Sequence, residues 1–161
     1  MLGVLPSGAT LQQGTYQLAY PLGQGGFGVT YRARHTEFDD DVAIKEFFPR
    51  DFAARDAASP RVSAAATHQD TYQRWLERLI REGRVLRQLR HENVVRVTNL
   101  FQENGTAYLV MDLVDGRSLR EELDAQPDGR LPEARVAAIA AARRVSRRRR
   151  AWCRSTRGSG W

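Results

Sequence analysis

With one cysteine, Cys153, the 161-residue chain can close no intrachain disulfide, and a reducing compartment is expected. No basic segment followed by an apolar run opens it, and no apolar stretch approaches the roughly 18 residues of a membrane helix. Both absences predict a cytoplasmic chain with no membrane partner. The three histidines, His35, His68 and His91, stand at no recognised metal-ligand spacing from another His, Cys or carboxylate, so each is expected in a solvated position. Lysine is nearly missing: of 25 basic residues, Lys45 alone is lysine. Where arginine supplies every other cation, the exception marks either a need for a compact point charge on a flexible stem or a survivor of codon bias. Acids are missing from Arg143 onward, where 8 arginines fall. The formal charge of +6 would suggest a nucleic-acid or anionic-membrane partner, but residues 1–142 hold 17 basic against 19 acidic side chains. The body is mildly acidic and only the tail is basic.

What is present is a 42% hydrophobic chain, long enough for one ordinary domain. Its centre of gravity is Leu22-Gly23-Gln24-Gly25-Gly26-Phe27-Gly28-Val29-Thr30-Tyr31, followed by Val42-Ala43-Ile44-Lys45. A glycine run lets the backbone approach a phosphate and turn its N–H groups toward the oxygens. Val42 to Lys45 reads as a short buried strand whose last residue could set an ammonium against the same phosphates. Gly23-x-Gly25-x-x-Gly28 also fits the dinucleotide fingerprint, but that motif must open a helix. Val29 to Arg34 is β-branched and alternating, so a strand follows the turn and the glycines form a flap.

In chain order, residues 1–15 are small and polar with Gly and Pro, and predict a loose leader. Tyr16 to Tyr20 and Val29 to Arg34 are the first two strands, His35 to Asp41 a polar turn, and Pro49 stops the third strand. Arg50 to Asp70 predicts a partly ordered loop with a short helix. Tyr72 to Leu89 is the best helix, with Tyr72, Trp75, Leu79, Leu86 and Leu89 on one stripe. Projected at about 100° per residue, Glu82 falls within that stripe and calls for a cation, either Lys45 from across the interface or Arg78 within the helix. Gly83, costly in mid-helix, suggests close approach of a strand. Asn104-Gly105 is a hairpin turn between Val94–Glu103 and Thr106–Met111. Ser118–Leu123 and Pro132–Ala142 read as two further helices.

These elements resemble the amino-terminal lobe of a bacterial serine/threonine protein kinase, over Tyr16 to about Ala142. Gly23, Gly25 and Gly28 match the family's glycine-rich loop, and Val42-Ala43-Ile44-Lys45 its third-strand lysine motif. Thr30 departs from the family's valine. The resemblance implies an α+β fold: a five-stranded antiparallel sheet with one packed helix, then the first helices of an incomplete helical lobe. It implies ATP under Gly23, Gly25, Gly26, Phe27 and Gly28, with Lys45 on the α and β phosphates and held by Glu82. Glu82 matches by its place before Leu86, Leu89, His91 and Asn93. Leu22, Thr30, Ala43 and Met111 would enclose the adenine, the backbone of Asp112 to Val114 would bind its edge, and Ser118 would also bind the cofactor. The family also implies Mg2+ and a protein substrate. The catalytic-loop Asp and Asn and the Asp-Phe-Gly metal site have no counterpart in the sequence, so this chain is expected not to transfer phosphate alone. It would then be either an inactive kinase fragment or a non-catalytic nucleotide-binding or regulatory module. The tail 143–161 interrupts a helix pattern and is expected to be disordered. It reads as translated from a shifted frame or past a truncation, or else as a basic arm for nucleic acid or anionic lipid.

Overall fold

Alternation of apolar and polar residues along Gly28–His35 turns Val29, Tyr31 and Ala33 inward and Thr30 and Arg32 the other way. The same period-2 logic governs the rest of the sheet. The computed structural model describes residues 3–56 and 58–142. Its strands are β1 (Thr10–Leu11), β2 (Tyr16–Gly25), β3 (Gly28–His35), β4 (Asp41–Phe47), β5 (Ala53–Arg55), β6 (Val62–Ala64), β7 (Val97–Glu103) and β8 (Thr106–Asp112). The main sheet runs β1-β2-β3-β4-β8-β7, every pair antiparallel, and β5-β6 is a separate hairpin. The five long strands are those expected from the sequence. At the β7–β8 turn Asn104 and Gly105 take φ values of 53° and 72°, both left-handed as a tight hairpin turn requires.

A 3₁₀ turn, Ala66–His68, leads into α1 (Gln69–Gln88), which lies on the sheet through Tyr72, Leu76 and Gly83, with Leu79 and Ile80 partly buried beside them. A Cβ at Gly83 would sit 3.2 Å from Leu100 and 3.5 Å from Leu109, so the glycine admits the strand side chains that the sequence led us to expect. The buried stripe is rotated from the one the sequence predicts. Its centre passes through Leu76 and Gly83, which leaves Trp75 37% exposed and puts Glu82 about 100° from the centre, in solvent.

The leader is not loose. Leu5 and Leu11 are core residues at 4% and 1% exposure, and β1 extends the sheet beside β2. A short segment becomes ordered by burying two leucines, a signal hidden by its glycines and its single proline, Pro6. Arg50 to Asp70, expected as a partly ordered loop with a short helix, holds the β5–β6 hairpin ahead of the short 3₁₀ turn. Its Val62 is buried and its backbone N–H donates to the Asn104 carbonyl at 2.7 Å, tying β6 to the β7–β8 turn.

Between leader, hairpin and sheet lies a buried acid. Glu46 is 0% exposed and accepts from the Tyr31 and Tyr108 hydroxyls, each at 2.9 Å, and from Arg55 at 2.5 Å. Arg55 also donates through Nε to the Gly3 carbonyl at 2.8 Å, and the Leu5 N–H reaches the Tyr31 hydroxyl at 3.1 Å. Burial, and then the Glu46 charge, push both tyrosine hydroxyls well above their ordinary range. Burial works against the charged Arg55, but the Coulomb attraction and hydrogen bond of Glu46 outweigh it and hold the guanidinium above its usual value.

Contacts divide the chain into two units, and residues 3–90 with 95–114 form the one described so far. In the other, α2 (Leu119–Asp124) opens on a capping box in which Ser118 Oγ accepts from the Glu121 N–H and the Glu121 carboxylate accepts from the Ser118 N–H. Residues 133–142 are helical, and Arg135 pairs with Glu122 at 2.6 Å. The expected basic tail, 143–161, lies outside the described residues.

Candidate functional site

Strand register decides which side chains can meet a common ligand, because residues directly opposite in neighbouring strands share a face. Gly23 stands opposite Thr30, Thr30 opposite Lys45, and Lys45 opposite Leu109. One row along, Arg32 faces Ala43 and Ala43 faces Met111. The sheet therefore collects Gly23, Thr30, Lys45, Ala43 and Met111 on one surface, drawn from four strands. Ile44 and Glu46 point into the opposite layer, where both are fully buried.

The turn between β2 and β3 carries the glycines. Gly23, Gly25 and Gly26 have open space where a Cβ would stand, leaving the backbone accessible. Gly28 is constrained differently: a Cβ there would come 2.1 Å from the Glu46 carbonyl oxygen, so no side chain fits between β3 and β4. The Phe27 carbonyl accepts from the Phe48 N–H at 3.0 Å, anchoring the turn to β4 while the Phe27 ring stays 54% exposed. Leu22 is 47% exposed beside it, Ala43 is 8% exposed, and Thr30 and Met111 are half-buried. Asp112 closes β8 and leads through Leu113 to Val114, which is 66% exposed. Ser118 belongs to the other unit, and the role the structure gives it is the cap of α2.

Lys45 is exposed on this surface and makes no ion pair among the described residues. The expected Lys45–Glu82 pair is not formed. Glu82 instead accepts from Arg78 Nε at 3.1 Å, with the two side chains 63% and 65% exposed. The reason is the helix rotation described above, which leaves Glu82 on the solvent edge within reach of a cation four residues away. The helix lies on the Lys45 face of the sheet, since Gly83 abuts Leu109, the residue opposite Lys45. Trp75, on the same edge of α1, stacks against Phe27 with centroids 5.2 Å apart and planes at 27°. Sequence reasoning passed over Trp75 as a core residue and did not assign Glu46 or Arg55 any part. The alternation that exposes Lys45 necessarily turns Glu46 inward, and that was the available signal.

For Mg2+ the residues present do not fit: the described residues hold no cluster of three His, Cys, Asp or Glu side chains. Among them, too, no helix is long and apolar enough to cross a membrane.

Comparison with known proteins agrees with this geometry. The protein kinase domain family matches residues 16–143. Relatives include CBL-interacting protein kinase 4 of Oryza sativa subsp. japonica, 33% identical over 82% of this chain and 24% of its own length. The calcium/calmodulin-dependent protein kinase type II subunit delta of Oryctolagus cuniculus is 34% identical over 69% of this chain and 17% of its own length. Among solved structures, the apo form of PpkA-294 superposes with a TM-score of 0.73 at 30% identity, covering 78% of this chain and 44% of that one. The Mycobacterium tuberculosis PknI kinase domain gives a TM-score of 0.63 at 25% identity, covering 86% of this chain and 47% of that one. The chain thus spans about a quarter or less of these curated relatives and under half of either structure. A glycine flap, a lone lysine and a helix laid on the same face of a curled antiparallel sheet, with the family match across residues 16–143, establish that the chain belongs to the protein kinase domain family.

Proposed function

We propose that the chain is the ATP-binding lobe of a bacterial-type serine/threonine protein kinase, working in the cytoplasm. The observation that carries this reading is the register that brings Gly23, Thr30 and Lys45 into one row with Ala43 and Met111 beside them. When bound, ATP would supply the transferable phosphoryl group. Backbone N–H groups from Gly23 to Gly28 would face its phosphates, and the Lys45 ammonium would neutralise the α and β oxygens as a compact point charge. Leu22, Thr30, Ala43 and Met111 would cover the adenine, with the backbone of Asp112 and Val114 bonding its edge. Glu82 would leave Arg78 and orient Lys45. Phosphoryl transfer to a protein serine or threonine belongs to the full-length family. No base or metal-ligand set for that step is present in these residues, so the isolated chain is expected to bind without turnover.

Because Lys45 is the only lysine, an acyl-phosphate derivative of ATP tests the site directly. A lysine held against the phosphates takes the acyl group and becomes an amide, and mass spectrometry locates it. Acylation of Lys45 is expected, suppressed by excess ATP and lost in Lys45→Met. Labelling that excess ATP leaves unchanged would overturn the reading.

A further inference from the structure

Resting on the nucleotide reading above, we infer that Trp75 and Arg78 are positioning residues that hold the glycine flap and Glu82 in a parked arrangement, which ATP must displace. Three contacts run in series along one edge of α1. Phe27, at the tip of the flap, stacks on Trp75 at 5.2 Å between centroids. The Arg78 guanidinium lies 5.5 Å from the Trp75 centroid. Arg78 Nε then donates to Glu82 at 3.1 Å. Positions 75, 78 and 82 follow i, i+3 and i+7, so they share the helix edge that meets the flap.

Each contact is exclusive with a bound one. The Phe27 ring can lie on Trp75 or travel with the flap over the phosphates. Glu82 can hold Arg78 or hold Lys45. Trp75 links the two choices, because the ring that receives Phe27 also steadies the cation that occupies Glu82. The flap has room to move, since a Cβ at Gly25 or Gly26 would meet nothing within 4 Å and the Phe27 ring is 54% exposed where it stacks on Trp75, whereas the Phe27 carbonyl is fixed to the Phe48 N–H. The parked state is soft: Arg78 and Glu82 are both largely exposed, so the device tunes affinity and does not block it.

Loss of either positioning residue therefore tightens nucleotide binding, a gain that a merely structural role would not produce. Titration of the full chain with ATP and Mg2+ by calorimetry is expected to show Trp75→Ala binding about threefold to tenfold tighter than wild type. Arg78→Met should bind about twofold to fivefold tighter, while Trp75→Phe, which keeps an aromatic face, stays near wild type. In Trp152→Phe/Trp161→Phe, where Trp75 is the remaining tryptophan, ATP should shift its emission to the red as Phe27 leaves. Since Trp75 is partly exposed and Arg78 mostly so, both replacements leave the buried face of α1 intact. Equal or weaker binding by Trp75→Ala and Arg78→Met, with wild type binding, overturns the latch alone. No binding by wild type or any variant overturns the latch and the nucleotide reading together.

Discussion

Arg55→Met strands a carboxylate in the core, and its cost can be worked from the structure. The wild-type side chains of Arg55 and Glu46 are 6% and 0% exposed, and Glu46 has three donors, of which Arg55 is the only cation. Methionine replaces the stem but leaves the acid with two neutral hydroxyls. Breaking a buried pair from one side costs about 3–5 kcal/mol. Against a typical domain stability of about 5–15 kcal/mol, that is a large fraction. Urea unfolding followed by far-UV circular dichroism should show Arg55→Met destabilised by about 3–5 kcal/mol, part of it from the lost bonds to the Gly3 and Pro60 carbonyls. Adding Glu46→Gln removes the stranded charge and should recover part of the loss. A cost below about 1 kcal/mol, or no recovery on adding Glu46→Gln, would refute the reasoning.

Alkaline sensitivity should follow from Tyr31 and Tyr108, whose hydroxyls are held protonated in the fold by burial and by Glu46. The unfolded chain releases those protons from about pH 10 while the native chain keeps them, so stability is complete below that pH and falls as pH rises above it. Unfolding midpoints between pH 8 and 11.5 should show this fall, and Tyr108→Phe should flatten it. Leu11→Ala should cost about 2–5 kcal/mol because Leu11 is a fully buried core residue, and a loss under about 0.5 kcal/mol in the same urea assay would return the leader to a loose segment. Gly28→Ala places a Cβ 2.1 Å from the Glu46 carbonyl and should cost at least about 1–3 kcal/mol by forcing β3 from β4, read as a lowered thermal midpoint.

The sequence by itself determined the elements whose signals are local. Period-2 alternation set β2 and β3, a short apolar run set β4, Asn104-Gly105 set the β7–β8 turn, and the spacing of Gly23, Gly25, Gly28 and Lys45 identified the candidate site before any strand was paired. These depend on φ/ψ preference and side-chain period, which a short window contains. Tertiary structure decided what depends on distant partners. Residues 3–11 are ordered because Leu5 and Leu11 find the core and Arg55 finds the Gly3 carbonyl, across more than 40 residues of chain. The β5–β6 hairpin holds because Arg55 must reach Glu46 and Val62 must reach Asn104. Glu82 shows the limit most clearly. Helical period places it within the apolar stripe, but rotation of α1 about its own axis is set by Gly83 against Leu100 and Leu109, and that rotation gives Glu82 to Arg78 and leaves Lys45 without an ion pair among the described residues.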